Sequence, residues 1–447
     1  MKTKFCSLVF ALFLLGAALA RADLHLAFGL TEDVDVPAQN DGKIPATHTS
    51  NQQHIEVFLG DGYMDVQSDE GRAMFDFTGQ KIFTLSSKDK TYAITSLYAV
   101  IGFRAMELQN RVFIAGTLNA AGVKDIPEGE AYAENELSLR LPNSPPLPTP
   151  TTSGNTLTYS YNGKPLFSRP SDGQKLSASE AAQLVRFIRY QFGLHPDILD
   201  AWQKEATLPG HFDIYQYNTE NTHLQFALLR LDRMEHKFTP LAELTGFKET
   251  DDPLAVLCAK ANALDQAQFT ASCNALKNTA VTEAKAGHNL DAVLFFLAYT
   301  LATGQQMPPE FSTYRDVLTN DADATLLIKS MTPHSEEEAK SDLTALRSLE
   351  GKANSGKIFL NIFEADILDP LGQPDDAIKL FQAVLAEYPC LVGPWNDVGE
   401  IYYRRFESVS AWQCWGAGRH LLPTHPLFKD VDDLEESLRK EHPEYFN

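Results

Sequence analysis

Between residues 54 and 97 apolar and polar side chains alternate in short runs, at 54–59, 63–67, 73–77, 81–85 and 91–96. A period of two is the pattern of a half-buried strand. Between the runs stand Asp61-Gly62, Glu70-Gly71, Thr78-Gly79 and Lys88-Asp89, residue types that suit the positive φ of tight hairpins. Such short connections leave no room for crossover helices, so the strands are expected to form an antiparallel meander. Another hairpin is predicted where 157–161 and 164–167 flank Asn162-Gly163, and a further pair at 211–217 and 224–231. Residues 23–170 thus read mostly as strand, with the Pro-, Thr- and Ser-rich 142–155 as an exposed loop of the same domain. Ser177 or Ser179 caps a helical stretch in which Ala182, Val185, Ile188 and Phe192 recur at helical spacing before Gly193. Leu208-Pro209-Gly210 then returns the chain to strand. A β-rich domain over 23–247, with helices at about 177–206, is the expectation.

From Asp252 the period becomes helical and stays so. Ala255, Leu257, Ala261 and Leu264 fall on one helix, and 290–302 forms a strongly apolar one stopped by Gly304 and Pro308-Pro309. Less regular helices are expected at 326–331 and 343–349, and an amphipathic one at 428–439. The fold class predicted is α+β: an N-terminal antiparallel sheet domain with inserted helices, then an α-superhelical domain over 252–447.

The strongest signal is a period of 34 residues near the end. In 392–425, Trp395, Val398, Gly399 and Tyr402 are followed by Ala411, Trp415, Gly418 and Pro423. In 358–391, Ala365, Leu368, Ala377, Phe381 and Pro389 stand in the same register, while Asn361 and Glu364 depart from it. Small residues at fixed places let two helices cross closely, large ones fill the gaps between hairpins, and proline ends the second helix. These two segments resemble tetratricopeptide (TPR) repeats. The resemblance implies an α-superhelix whose inner face commonly holds an extended peptide or a partner protein. The signature residues are core, so residues between them, Asn396, Glu400, Tyr403 and Arg404, are the groove candidates. The β domain has a looser, topology-level likeness to the half-open barrels of periplasmic lipoprotein carriers.

The N-terminus changes the setting. Lys2 and Lys4 precede an uncharged apolar run from 5 to 20, and Ala20-Arg21-Ala22 has the small residues of a cleavage site, so 1–22 reads as a signal peptide. No later segment is apolar and long enough to span a bilayer. Losing Lys2, Lys4 and Arg21 with the leader takes the net charge from −21 to −24. So acidic a chain repels phosphate backbones, which disfavours nucleic acid as a partner. Export would expose Cys258, Cys273, Cys390 and Cys414 to oxidation, with 258–273 and 390–414 the preferred bridges; four buried thiols are the alternative.

Catalytic motifs are absent: there is no Gly-x-Ser-x-Gly, His-Glu-x-x-His, Walker loop or dinucleotide glycine pattern. His211 and His223 would face each other across their hairpin, but ordinary cross-strand surface residues explain them better than a metal does. No catalytic residue, metal or cofactor is assigned. The expectation is a periplasmic binding or scaffolding protein with a protein or peptide partner. An apolar-ligand carrier using the β domain is the alternative, and a hydrolase with dispersed catalytic residues a third.

Overall fold

A computed structural model describes residues 23–38, 45–123, 130–141, 144–217, 220–250, 252–305 and 320–446. The leader at 1–22 lies outside them. The chain is α+β and divides into two compact units: a sheet unit (1–97, 104–248 and 444–447) and a helical unit (98–103 and 249–443).

The sheet unit is built on two long neighbours, β1 (Asp23–Val36) and β2 (Thr47–Leu59). Beyond β2 runs the expected meander of β3 (Tyr63–Ser68), β4 (Gly71–Asp76), β5 (Lys81–Ser86) and β6 (Thr91–Ser96). On the other side of β1 lie Asn221–Met234, His211–Tyr217, Lys164–Pro170 and Thr156–Tyr161, completing a 12-stranded antiparallel order with short edge strands. Asn162 and Gly163 both take positive φ, 49° and 79°, as a two-residue hairpin requires. In the meander the positive φ sits elsewhere than the dipeptides suggest, at Gln80 and Lys90 (55° each). Gly71 is needed for a different reason: a Cβ there would stand 2.2 Å from the Leu85 carbonyl oxygen.

Alternation along β1 sends Leu24, Leu26, Phe28 and Leu30 to one face. Phe28 meets Phe212 and Phe226 edge-on at 5.9 Å and Phe187 at 6.3 Å. Phe187 comes from the helix Ala178–Gln191, which Ser177 starts with a capping box: its hydroxyl accepts from Glu180 N, and the Glu180 carboxylate accepts from Ser177 N. The opposite face is covered by the strap at 235–247. Phe238, Leu244 and Phe247 lie on Met74, Phe83 and Leu85. A fully buried carboxylate, Asp65, anchors this side by accepting two bonds from Arg72 (2.7 and 2.6 Å) and one contact from His236 (2.9 Å), while Arg72 also reaches Glu243 at 2.8 Å. Every charge taken out of water here has a partner.

Two helices interrupt what reads as continuous strand: α1 (Leu97–Ala120) and α2 (Glu130–Leu137). The helix-forming run Ala-Met-Glu-Leu-Gln-Asn-Arg at 105–111 is the signal that marks α1. The chain's last residues also belong to the sheet unit. Tyr445 is fully buried; its hydroxyl donates to the Leu137 carbonyl at 2.9 Å and accepts from Arg104 at 3.0 Å. Tyr190 donates to the Tyr445 carbonyl and Arg189 to that of Glu444, each at 3.0 Å.

The helical unit begins with α3 (Pro253–Asn262), α4 (Gln266–Ala286) and α5 (Asn289–Thr303), the last stopped by Gly304 at φ 64°. After α6 (Ala322–Lys329) and α7 (Glu336–Leu349) come two hairpins, α8 (Leu360–Leu368) with α9 (Pro374–Glu387), and α10 (Val392–Arg404) with α11 (Ser408–Leu421). The helix Lys429–Glu441 follows. Ala365, Ala377 and Ala411 are wholly buried, and Phe381, Trp395 and Trp415 nearly so. A Cβ on Gly399 would stand 2.3 Å from Trp415 Nε1, so only glycine admits that indole. Trp395 donates to the carbonyl of Pro389, which follows the end of α9, at 3.0 Å. Pro423 lies just beyond α11.

The cysteines correct an expectation. Cys258, Cys273, Cys390 and Cys414 are free and buried, so neither the 258–273 nor the 390–414 bridge is formed. The reason is that α3 packs against α11 and α9 instead of lying alongside α4. The Cys258 thiol accordingly approaches the Gln413 carbonyl, 3.7 Å away. Burial pushes the Cys273 and Cys390 thiols up to about 12 and about 11, which disfavours their thiolates.

Candidate functional site

The proposed groove residues do not stand free. Asn396 is buried at 2% exposure, and its amide donates to Glu400 at 2.9 Å. Its position is fixed from behind, because Trp415 Nε1 donates to its backbone carbonyl at 3.3 Å. Tyr403 lies half-buried against Trp412 and Trp415, with ring centroids 5.5 Å away in each case. Arg404 is exposed and pairs with Asp369, with Glu400 a further 3.7 Å contact. Glu400 alone among the four is an exposed carboxylate of the kind a partner could reach.

Around Glu400 the structure gathers acids that motif reading passes over. Asp366 on α8 reaches solvent, yet the protein surrounding it strips enough water to push its carboxyl up to about 7, and Asp369 and Glu400 add to the rise. Asp397 on α10 is half-buried. Burial, then Asp366 and Glu400, push it well above the usual carboxylate range, against a hydrogen bond from Asn396. Arg404 stands beside Asp369 and Glu400, while burial and neighbouring carboxylates act on Asp366 and Asp397. A pKa raised by burial and then by like charges marks a place where the fold tolerates unfavourable electrostatics, and such places concentrate at functional sites. The sequence carried one clue: Asp366 and Glu400 are 34 residues apart, one full period of the pattern.

The buried Glu134 carboxylate, by contrast, is satisfied. Burial raises the Glu134 carboxyl, but bonds from His195, the Leu141 N–H and Ser144 outweigh it and hold the group below its ordinary value. Glu134 and His195 are inaccessible, so this pair braces the fold and meets no substrate. His211 and His223 do not face each other. The register sets His211 against Ala227 and His223 against Tyr215, on which it stacks at 4.3 Å. His223 Nε2 instead lies 3.0 Å from Asp213. Among the described residues no group of His, Cys, Asp and Glu is arranged to hold a metal, and no helix is long and apolar enough to cross a membrane.

The sheet unit offers a different kind of site, a cavity of about 370 Å³ lined by β2–β5 and by Gln191 and Phe192.

No family model matches the chain, and no curated protein matches it. Among solved structures it is similar to one described as lipid-protein interactions in lipovitellin, at 10% identity and a TM-score of 0.19. That match covers 95% of this chain, which spans 56% of the other's length. A TM-score of 0.19 assigns neither fold nor ligand.

Proposed function

We propose that this is an exported, periplasmic binding protein whose last two hairpins, read as TPR-like, hold a basic segment of a protein partner. The observation that carries the reading is the group of carboxyls at Asp366, Asp397 and Glu400, with Arg404 3.7 Å from Glu400. A lysine or arginine side chain placed among them would relieve the mutual repulsion and restore ordinary carboxylate behaviour. The apolar, uncharged run at 5–20 supports export.

The test is calorimetric titration of the protein with a lysine- and arginine-rich decapeptide and with a glutamate-rich one, at low and physiological salt. The basic peptide should bind and weaken as salt rises, since exposed charges are screened within about 8–10 Å. The acidic peptide should not bind, and D366N/D397N should weaken the basic one at least about tenfold, near 1.4 kcal/mol. Equal affinity for both peptides, or indifference to the double substitution, would reject the reading.

A second reading rests on the sheet unit. Its cavity falls in the size range of small-ligand sites, about 300–1,000 Å³, and Ile55, Val66 and Phe192 supply apolar wall. Carriage of a small apolar ligand there is compatible with partner binding by the helical unit.

A further inference from the structure

The cavity in the sheet unit has a cause in the sequence. Cross-strand partners share a face, and one ladder runs Val66, Ala73, Thr84 across β3, β4 and β5. The next ladder on that face brings Ile55 to Ser68 and Gly71 to Ser86. Two residues the other way the same face carries Met64, Phe75 and Ile82, where Phe75 meets Tyr190 at 5.3 Å and the space is filled. The side chains step down in size along the face, and the cavity occupies the step. Phe192 forms a fixed wall, held edge-on by Phe226 at 4.8 Å and Phe187 at 5.5 Å.

Charge in the lining is disposed of. Arg72 is clamped by Asp65 and Glu243, and Glu70 stands exposed at the rim, where it repels anions. The remaining polar groups are neutral hydroxyls and amides at Gln53, Ser68, Thr84, Ser86 and Gln191, beside Ile55, Val66 and Phe192. We infer that this cavity binds an uncharged amphiphile, with its aliphatic part on Ile55, Val66 and Phe192 and its hydroxyl or amide groups on the Gln and Ser/Thr side. The inference rests on the carrier reading and adds the ligand's charge state. An ionised head would have to leave water for a site with no free counter-charge.

The test uses the full chain and two probes of equal chain length, 1-monolauroylglycerol and dodecanoate, titrated below their micellar concentrations. Monolauroylglycerol should bind, and dodecanoate should bind at least about tenfold more weakly. Thr84→Phe adds a ring at an exposed position of the ladder. It should lower affinity for monolauroylglycerol at least about tenfold with the melting temperature kept. Ala73→Leu is the second filling variant and should do the same. Equal affinity for the two probes, lost in the filled variants, would overturn the uncharged assignment and leave the carrier reading standing. Binding of neither probe, or binding indifferent to both substitutions, would overturn both.

Discussion

The sheet unit and the α8–α11 hairpins of the helical unit treat charge in opposite ways. In the first, Asp65, Arg72, His236, Glu134 and His195 are taken from water and each is matched by a partner at bonding distance. In those hairpins the interior is aromatic and small, Trp415 set against Gly399 and Trp395 against Gly418, while Asp366, Asp397 and Glu400 gather with Arg404 beside Glu400. A buried pair loses several kcal/mol when one member is removed, so the sheet unit's charges explain its own cohesion. The acids of the helical unit have no such explanation, and an outside cation supplies one.

The largest effect should come from the sheet unit's ring cluster. Phe212 stacks on Phe226 at 4.4 Å and meets Trp202 at 5.0 Å, so Phe212→Ala should cost about 4 kcal/mol. Faster hydrogen exchange in β1, His211–Tyr217 and Asn221–Met234 would register it; unchanged exchange would show that these rings do not carry the unit. Next, Gly399→Leu should cost about 3 kcal/mol by driving a side chain into Trp415, read from exchange in α10 and α11. Gly116→Leu, where a Cβ meets nothing within 4 Å, should cost nothing and gain up to about 1 kcal/mol of helix propensity. If both leucines behave alike, close packing is not what distinguishes the hairpins.

A smaller effect should separate the units by pH. The folded state raises the Asp366 and Asp397 carboxyls, so it holds their protons more tightly than the unfolded chain does. The Asp366 contribution is complete below about pH 4 and is lost as pH rises through about 7. Comparing pH 5.5 with pH 8, α8 and α10 should exchange faster at the higher pH, after correction for intrinsic rates. D366N/D397N should flatten the difference; an unaltered slope would assign it to other groups. The smallest effect is Ser177→Ala, about 1 kcal/mol from the capping box, detectable as a shift of the denaturant midpoint.

These contrasts also mark what could be read from the chain alone. Strands of period two announce themselves because every second side chain faces a core: β3, β5, β6 and His211–Tyr217 fall where alternation sets them, while β2 begins seven residues before 54 and β4 two before 73. Helix α1 escaped because an apolar opening, 97–101, resembles a buried strand when a strand run precedes it. Register across a hairpin depends on the turn's geometry, which is why His223 stands opposite Tyr215 and His211 does not meet it. Cysteine pairing depends on which helices become neighbours, and α3 chose α11. The acidic group was the least legible. Asp366 and Asp397 look like any polar positions on a helix until folding determines how much water and how few cations surround them.

Tyr445 gives the molecule a timetable. Its backbone and hydroxyl fill a slot built from Arg104, Leu137, Arg189 and Tyr190, so the sheet unit is finished by residues at the far end of the chain. At about 5–20 residues per second, the 255 residues separating Tyr190 from Tyr445 take on the order of ten to fifty seconds to synthesise. Throughout that interval two arginines and a tyrosine hydroxyl wait around an empty slot. Until then the slot is open to water at a place that the finished molecule keeps out of reach.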